Sequence, residues 1–298
     1  MAINALQVLV NSVLTGSIYA LVSIGLTLVY RILKFANFSH AEMIAAGAYF
    51  GFALNRSISQ NIIVSLIGGF VFAGAVGVAS ELLVFRPLRN KGAERISLMV
   101  SSIGLGLIIR HIIQQIWGSK FQWYNLNTKT YSLRFLGAEA VMTSLQVVIV
   151  VTSVIAVTLV HLFLTRTKMG RAMRATADNP SLAMACGIDV EKVLIWVWFI
   201  GAGLAGLGGV LRAADTRLVP LVGWEVLLSA FAVVILGGLG NLYGTILAAY
   251  ILGFAENIGV VVLSALSLST GYRPAIAFVV LIVVLLFKPT GLMGSELE

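Results

Sequence analysis

Apolar residues run almost unbroken through six long stretches, at about 5–30, 61–85, 96–117, 143–164, 193–211 and 242–263. A seventh run, 274–287, is shorter and ends at Lys288-Pro289, where a cation can snorkel to the interface and proline stops the helix. A helix crossing a ~30 Å hydrocarbon layer needs about 20 residues, which the long stretches supply. Two interior runs, 41–54 and 226–238, are too short to cross unaided as straight helices, reaching about 20 Å at ~1.5 Å per residue. The predicted fold is therefore all-α: a polytopic transmembrane helical bundle of about eight to nine membrane segments, with 1–298 forming one transmembrane domain. The two short runs fall in corresponding places of the two halves and run in opposite directions. That pattern predicts an inverted repeat with two short or broken helices, and a path at the repeat interface. Ordinary tilted or interfacial helices are the alternative.

Composition agrees with the pattern. Of 298 residues, 59% are apolar and 11% charged, with a mean hydropathy of +0.99. Soluble domains carry about 25% charged residues, so this chain lacks the polar groups to cover a soluble surface. Disordered chains are poor in apolar residues and are excluded by the same figures. The formal charge of +8 sorts by connection instead of forming a nucleic-acid patch. Twelve basic residues lie in alternate connections and the tail: Arg31, Lys34, Arg86, Arg89, Lys91, Arg95, Arg166, Lys168, Arg171, Arg174, Lys192 and Lys288. The other side holds Arg56, Lys120, Lys129, Arg134, Arg212, Arg217 and Arg273, seven in all. The positive-inside rule then places the N-terminus outside and the C-terminus in the cytoplasm. No basic residue precedes the first apolar run, so it reads as a retained span and not as a secretory signal.

The longest cytoplasmic connection, 165–192, carries local helix signals. Asn179 can N-cap, Pro180 suits the first helical position, and Gly187 can close the end in a left-handed conformation. About two turns result, displaying Leu182, Met184 and Ala185, and Asp189 can cap the next span. Two turns are not stable alone in water, so exposed apolar side chains on them imply a partner surface. A linker packed on its own membrane domain is the alternative.

No P-loop, H-E-x-x-H or G-x-S-x-G pattern occurs, and Cys186 is the single cysteine. The sequence thus predicts no catalytic residues, no metal ligands and no nucleotide site of its own. Among polar groups inside spans, Glu81 and Arg110 lie within a few turns of span ends, where snorkelling is expected. Glu256 and Asn257 sit deeper and are expected to face other helices. His40 and Glu42 stand at the start of the first short segment, serving either helix packing or a gate. Ser101, Ser102, Gly104 and Gly106 form a small-residue patch, suited to close helix approach or to a pore; spacing does not choose.

Four stretches together resemble one transporter family. Asn37-Phe38-Ser39-His40-Ala41-Glu42 with Gly47-Ala48-Tyr49 resembles the N-F/M-A-H-G-E…G-A-Y stretch of bacterial branched-chain amino acid ABC importer permeases. Gly170-Arg171-Ala172-Met173-Arg174-Ala175 with Cys186-Gly187-Ile188-Asp189 is similar to that family's G-R-A-x-R-A…G-I-D/N loop. The run from Ala232 through Gly237-Gly238-Leu239-Gly240-Asn241 to Gly244, and the tail Lys288-Pro289-Thr290-Gly291-Leu292-Met293-Gly294, resemble two further family stretches. Ala41, Ser39 and Lys288 depart from the usual Gly, Ala and Arg.

The resemblance implies a permease subunit of an ATP-driven importer for hydrophobic, branched-chain or neutral amino acids in the bacterial cell (inner) membrane. Relatives carrying urea or short amides are the alternative, and an ion-coupled secondary transporter a remoter one. It implies a homologous second permease, two cytoplasmic ATP-binding subunits that hold the ATP, and an external substrate-binding protein. Candidate path residues are Asn37, Ser39, His40, Glu42, Gly47, Ser101, Ser102, Gly104, Gly237 and Gly238. Implied coupling residues are Gly170, Arg171, Arg174, Pro180, Leu182, Met184, Gly187 and Asp189.

Overall fold

A computed structural model of the chain describes residues 5–135 and 138–294. The helices are α1 (Ala5–Leu33), α2 (His40–Ser57), α3 (Ile62–Ser80), α4 (Arg86–Asn90), α5 (Arg95–Trp117), α6 (Ser144–Arg166), α7 (Lys168–Asp178), α8 (Pro180–Ala185), α9 (Val190–Asp215), α10 (Val222–Gly237), α11 (Leu242–Ala265) and α12 (Arg273–Phe287). A π-helical turn, Glu81–Phe85, joins α3 to α4, so that a single 29-residue rod spans Ile62–Asn90. Among the described residues, seven helices are long and apolar enough to cross a membrane. The chain is an all-α polytopic membrane protein, with α2 and α10 completing the bundle.

The connections sort onto two ends. At the basic end, Arg86 and Arg89 reach Glu191 at 2.9 and 3.9 Å, and Arg31 lies 4.0 Å from Asp178. At the opposite end Gln7 bonds Val141, Asn55 bonds Asn125, and Gln122 pairs with Leu218. The two groups of connections expected on opposite sides therefore do lie at opposite ends.

Packing follows a reciprocal scheme. α1 lies against α11, as α9 lies against α3; α1 and α9 cross each other, and α2 meets α10. Exchanging α1 with α9, α2 with α10 and α3 with α11 preserves these neighbours, which is the arrangement an inverted repeat requires. α1 and α9 are the buried centre. Trp198 of α9 is fully enclosed and stacks on Phe85 at 4.8 Å.

The structure adds three features. The two short segments are unbroken helices; the irregular backbone precedes each of them, at 34–39 and 216–221. The cytoplasmic connection holds a second helix, α7, whose Gly170, Met173, Thr176 and Ala177 form one buried face. A two-stranded antiparallel hairpin, β1 (Thr130–Phe135) with β2 (Ala138–Thr143), stands at the non-basic end and leads into α6 through a Thr143–Gln146 capping box.

Candidate functional site: two helix tips meeting inside the bundle

After Leu33 the chain does not leave the bundle. It turns at Lys34, a non-glycine residue at φ 55, and climbs back along α1. By His40 it has risen far enough for Nε2 to sit 3.0 Å from the Val22 carbonyl. Val22 is eleven residues from the end of α1, about 16 Å up its axis. α2 therefore begins deep in the membrane-spanning layer. From the other end, 216–221 dips inward after α9, and α10 begins with Gly223 backed directly onto the Ala41 carbonyl, a contact that leaves no room for a Cβ. The positive ends of two helix dipoles thus converge inside the bundle.

Irregular backbone at this depth persists only where its polar groups find partners. Ser102 Oγ of α5 accepts from the Phe38 N–H at 3.0 Å, and Asn37 Oδ1 accepts from the Ser39 N–H and hydroxyl at 3.1 and 2.7 Å. Glu42, with no exposed surface, takes two bonds from Arg110, from Nε at 3.0 Å and Nη2 at 2.5 Å. Trp224 Nε1 donates to the same oxygen, Oε1, at 2.7 Å, and the Arg110 guanidinium lies 5.1 Å from that indole's centroid. Phe38 stacks toward Trp224 at 6.5 Å and tilts onto Phe231 at 5.2 Å. Three buried side-chain atoms here have no hydrogen-bond partner: Asn37 Nδ2, His40 Nδ1 and Glu42 Oε2.

The expected path residues divide. Ser39 and Glu42 face α5, whose Ser102, Gly106 and Arg110 recur at four-residue spacing; a Cβ on Gly106 would stand 3.5 Å from Glu42 Cγ and 3.6 Å from Ser39 Cα, and Asn37 is tied to Ser39. His40 points the other way, toward α1. Gly47 faces α9, its Cα side closed by Gly206. Ser101 turns its hydroxyl back to the Ser97 carbonyl at 2.7 Å, and Gly104 is exposed with nothing near it, so the small-residue patch is split between two faces of α5. Gly237 and Gly238 sit at the far, basic end of α10. There the tail closes over them: the Leu292 N–H bonds the Leu236 carbonyl at 2.7 Å and the Met293 N–H bonds that of Gly237 at 3.1 Å. Gly238, at φ 100, makes the turn into α11.

Snorkelling is overturned for both charged residues to which it was assigned. Arg110 turns inward onto Glu42, and Glu81 is held by both terminal nitrogens of Arg89 at 2.9 and 2.5 Å. Trp224, Phe38 and Phe231 were not singled out from sequence. The signal available was Trp224-Glu225 immediately ahead of an apolar run, but the partner of Glu42 lies 182 positions away. Glu256 does face other helices, accepting from Tyr19, Ser229 and Arg273 at 2.8, 2.9 and 2.7 Å.

At the basic end, Asn179 Oδ1 caps α8 through the Leu182 N–H at 3.0 Å, Pro180 occupies the first turn, and Gly187 adopts φ 81. Asp189 caps α9 at the Lys192 N–H, 3.1 Å, and that bond holds its carboxyl below the usual carboxylate range. Leu182 and Met184 are 61% and 56% exposed, so the apolar side chains point away from the bundle. Arg171 is exposed, whereas Arg174 donates to the Leu164 carbonyl and ties α7 to the end of α6. Gly170 lies flat against Phe163 and Leu164.

The family described as branched-chain amino acid transport system, permease component, matches residues 8–286. The chain belongs to this family. It is 31% identical over 307 residues to the high-affinity branched-chain amino acid transport system permease protein LivH of Escherichia coli K12, covering 97% of this chain and 95% of LivH. Identity to the corresponding permease protein BraD of Pseudomonas aeruginosa is 30% over 302 residues, again covering 97% and 95%. A partial likeness, 32% over 127 residues, links 40% of the permease to 38% of the E. coli ribose import permease protein RbsC.

Proposed function

We propose that this permease is the transmembrane subunit of an ATP-driven importer for branched-chain, hydrophobic or neutral amino acids, and that the meeting tips of α2 and α10 mark its translocation path. The observation that carries the reading is the cluster of Asn37, Ser39, Glu42, Arg110 and Trp224, walled by Phe38 and Phe231, at the convergence of two helix N-termini within the bundle. Intramembrane ionisable groups at such breaks are where transporters handle cargo. Family membership supports the class of machine, and the names of LivH and BraD support the class of cargo.

In this reading the basic end faces the cytoplasm of a bacterial cell (inner) membrane and the N-terminus lies outside. The chain holds no nucleotide or other cofactor; ATP is bound by two cytoplasmic subunits that seat α8, with Leu182 and Met184 as the apolar contact and Gly170, Arg171, Arg174, Pro180, Gly187 and Asp189 shaping the unit. A homologous second permease completes the path, and an external binding protein delivers the cargo. Purification of the tagged chain from native membranes tests the assembly. Co-elution of ATP-binding subunits and a second permease is the expected result; a stable homomer without them contradicts it.

A further inference from the structure

The hydrogen bonding around Glu42 is lopsided. Arg110 Nε, Arg110 Nη2 and Trp224 Nε1 all converge on Oε1, while Oε2 is buried with nothing to accept. A bare carboxylate oxygen inside a membrane bundle is expensive to keep, so its retention calls for an occasional partner. That partner must be a donor.

Asn37 presents the complementary deficit. Its carbonyl oxygen is fixed by the Ser39 N–H and hydroxyl, which settles the amide's orientation and leaves Nδ2 buried and unused. That atom wants an acceptor. Asn37 contacts Ser39, and Ser39 and Glu42 lie side by side against Gly106 of α5. The free donor and the free acceptor therefore stand on one short segment, 37–42, at the entry to α2.

Two helix N-termini, whose unsatisfied N–H groups favour an anion, suit an anionic acceptor beside Asn37. Phe38, Trp224 and Phe231 supply an apolar wall next to both.

A ligand with a cationic donor, an anionic acceptor and an apolar side chain fits all three features: it is a free hydrophobic amino acid in its zwitterionic form. We infer that Glu42 Oε2 and Asn37 form a transient zwitterion subsite on the path, Glu42 receiving the α-ammonium and Asn37 the α-carboxylate when the α2 and α10 tips part. The inference rests on the amino-acid reading above and adds to it the groups that read the cargo. Urea would leave the aromatic wall unused.

The test uses the whole importer in proteoliposomes with its binding protein and labelled leucine. Glu42→Gln keeps an acceptor for Arg110 and Trp224 but puts an NH₂ donor at the free position. Asn37→Asp keeps the acceptor for Ser39 but puts negative charge where the carboxylate goes. Each variant should lower kcat about ten- to a hundredfold, the loss of one charge-assisted bond. KM, set by the external protein, should stay unchanged, and the assembled complex should still be recovered in wild-type amount. Uptake at the wild-type rate in either variant overturns the subsite. So does a loss of uptake that merely follows loss of the assembled complex, since that is a structural role. If the wild-type importer takes up no leucine at all, the amino-acid reading has failed instead, and the two failures are told apart by that control.

Discussion

Arg89 places both terminal nitrogens on the carboxylate of Glu81, which is 1% exposed, while Arg89 itself keeps 20% of its side chain accessible. Removing the cation leaves a buried carboxylate unpaired, which typically costs about 3–5 kcal/mol. Arg89→Ala should therefore lower the thermal midpoint of the detergent-purified chain by many degrees; an unchanged midpoint would mean that Glu81 has another way to be neutralised. Gly187 poses a different single-residue problem. No atom crowds it, yet its φ of 81 suits a residue without a Cβ, and an L side chain there is strained by about 1–2 kcal/mol. Gly187→Val should insert normally and lose ATP-driven uptake, because the α8 cap no longer closes; retained uptake would remove α8 from coupling. Caps of this kind were legible in the sequence, since Asn179, Pro180, Gly187 and Asp189 act within a few residues of themselves. The partners of Glu42 and Glu81 were not. Arg110 is 68 positions from Glu42, and nothing along the chain distinguishes an arginine that snorkels from one that turns inward.

Between residue and molecule, α7 and α8 behave as one device. Thr167 caps α7 at the Gly170 N–H, 2.9 Å, and Arg174 holds it to the last carbonyls of α6, so that α8 is presented from a fixed base. Replacing Leu182 by Asp puts a charge at the centre of the exposed apolar pair. Uptake should fall at least tenfold while thermal stability is unchanged, because the side chain is 61% exposed in the isolated chain; wild-type uptake would show that this surface contacts nothing. Gly170→Val acts one layer beneath. Its Cβ would press on the Phe163 carbonyl, so α7 must lift from α6, and overpacking of this kind costs about 1–3 kcal/mol. Weakened co-purification of ATP-binding subunits is the expected readout, and full retention would mean that α7 position is immaterial. α7 could have been read from its own sequence, because Gly170, Met173 and Ala177 recur at helical spacing. The family-like run Gly170-Arg171-Ala172-Met173-Arg174-Ala175 overlaps that face and hides it. The β1–β2 hairpin was likewise open to a period-two reading.

Across the whole molecule, hydrophobic runs reported the membrane segments and nearly where they end, because burial in a bilayer demands apolar length. Depth was another matter. That 41–54 and 226–238 are short was visible, but a run of apolar residues carries no mark of where in the layer it begins. Only contacts such as His40 with Val22 and Gly223 with Ala41 reveal that both helices start inside the bundle and meet there. This convergence follows from the repeat, since exchanging the halves brings each tip onto the other. Charged residues within the bundle are closely paired, Glu42 with Arg110, Glu81 with Arg89 and Glu256 with Arg273. The central claim is that ATP, acting through partner subunits on α8, drives amino acids past these tips. Uptake of labelled leucine by the reconstituted importer, with ATP supplied and ion gradients dissipated, tests it most directly. Accumulation that needs ATP and the external binding protein is the expected result; accumulation of urea instead of leucine, or leucine uptake that follows an ion gradient without ATP, would contradict it.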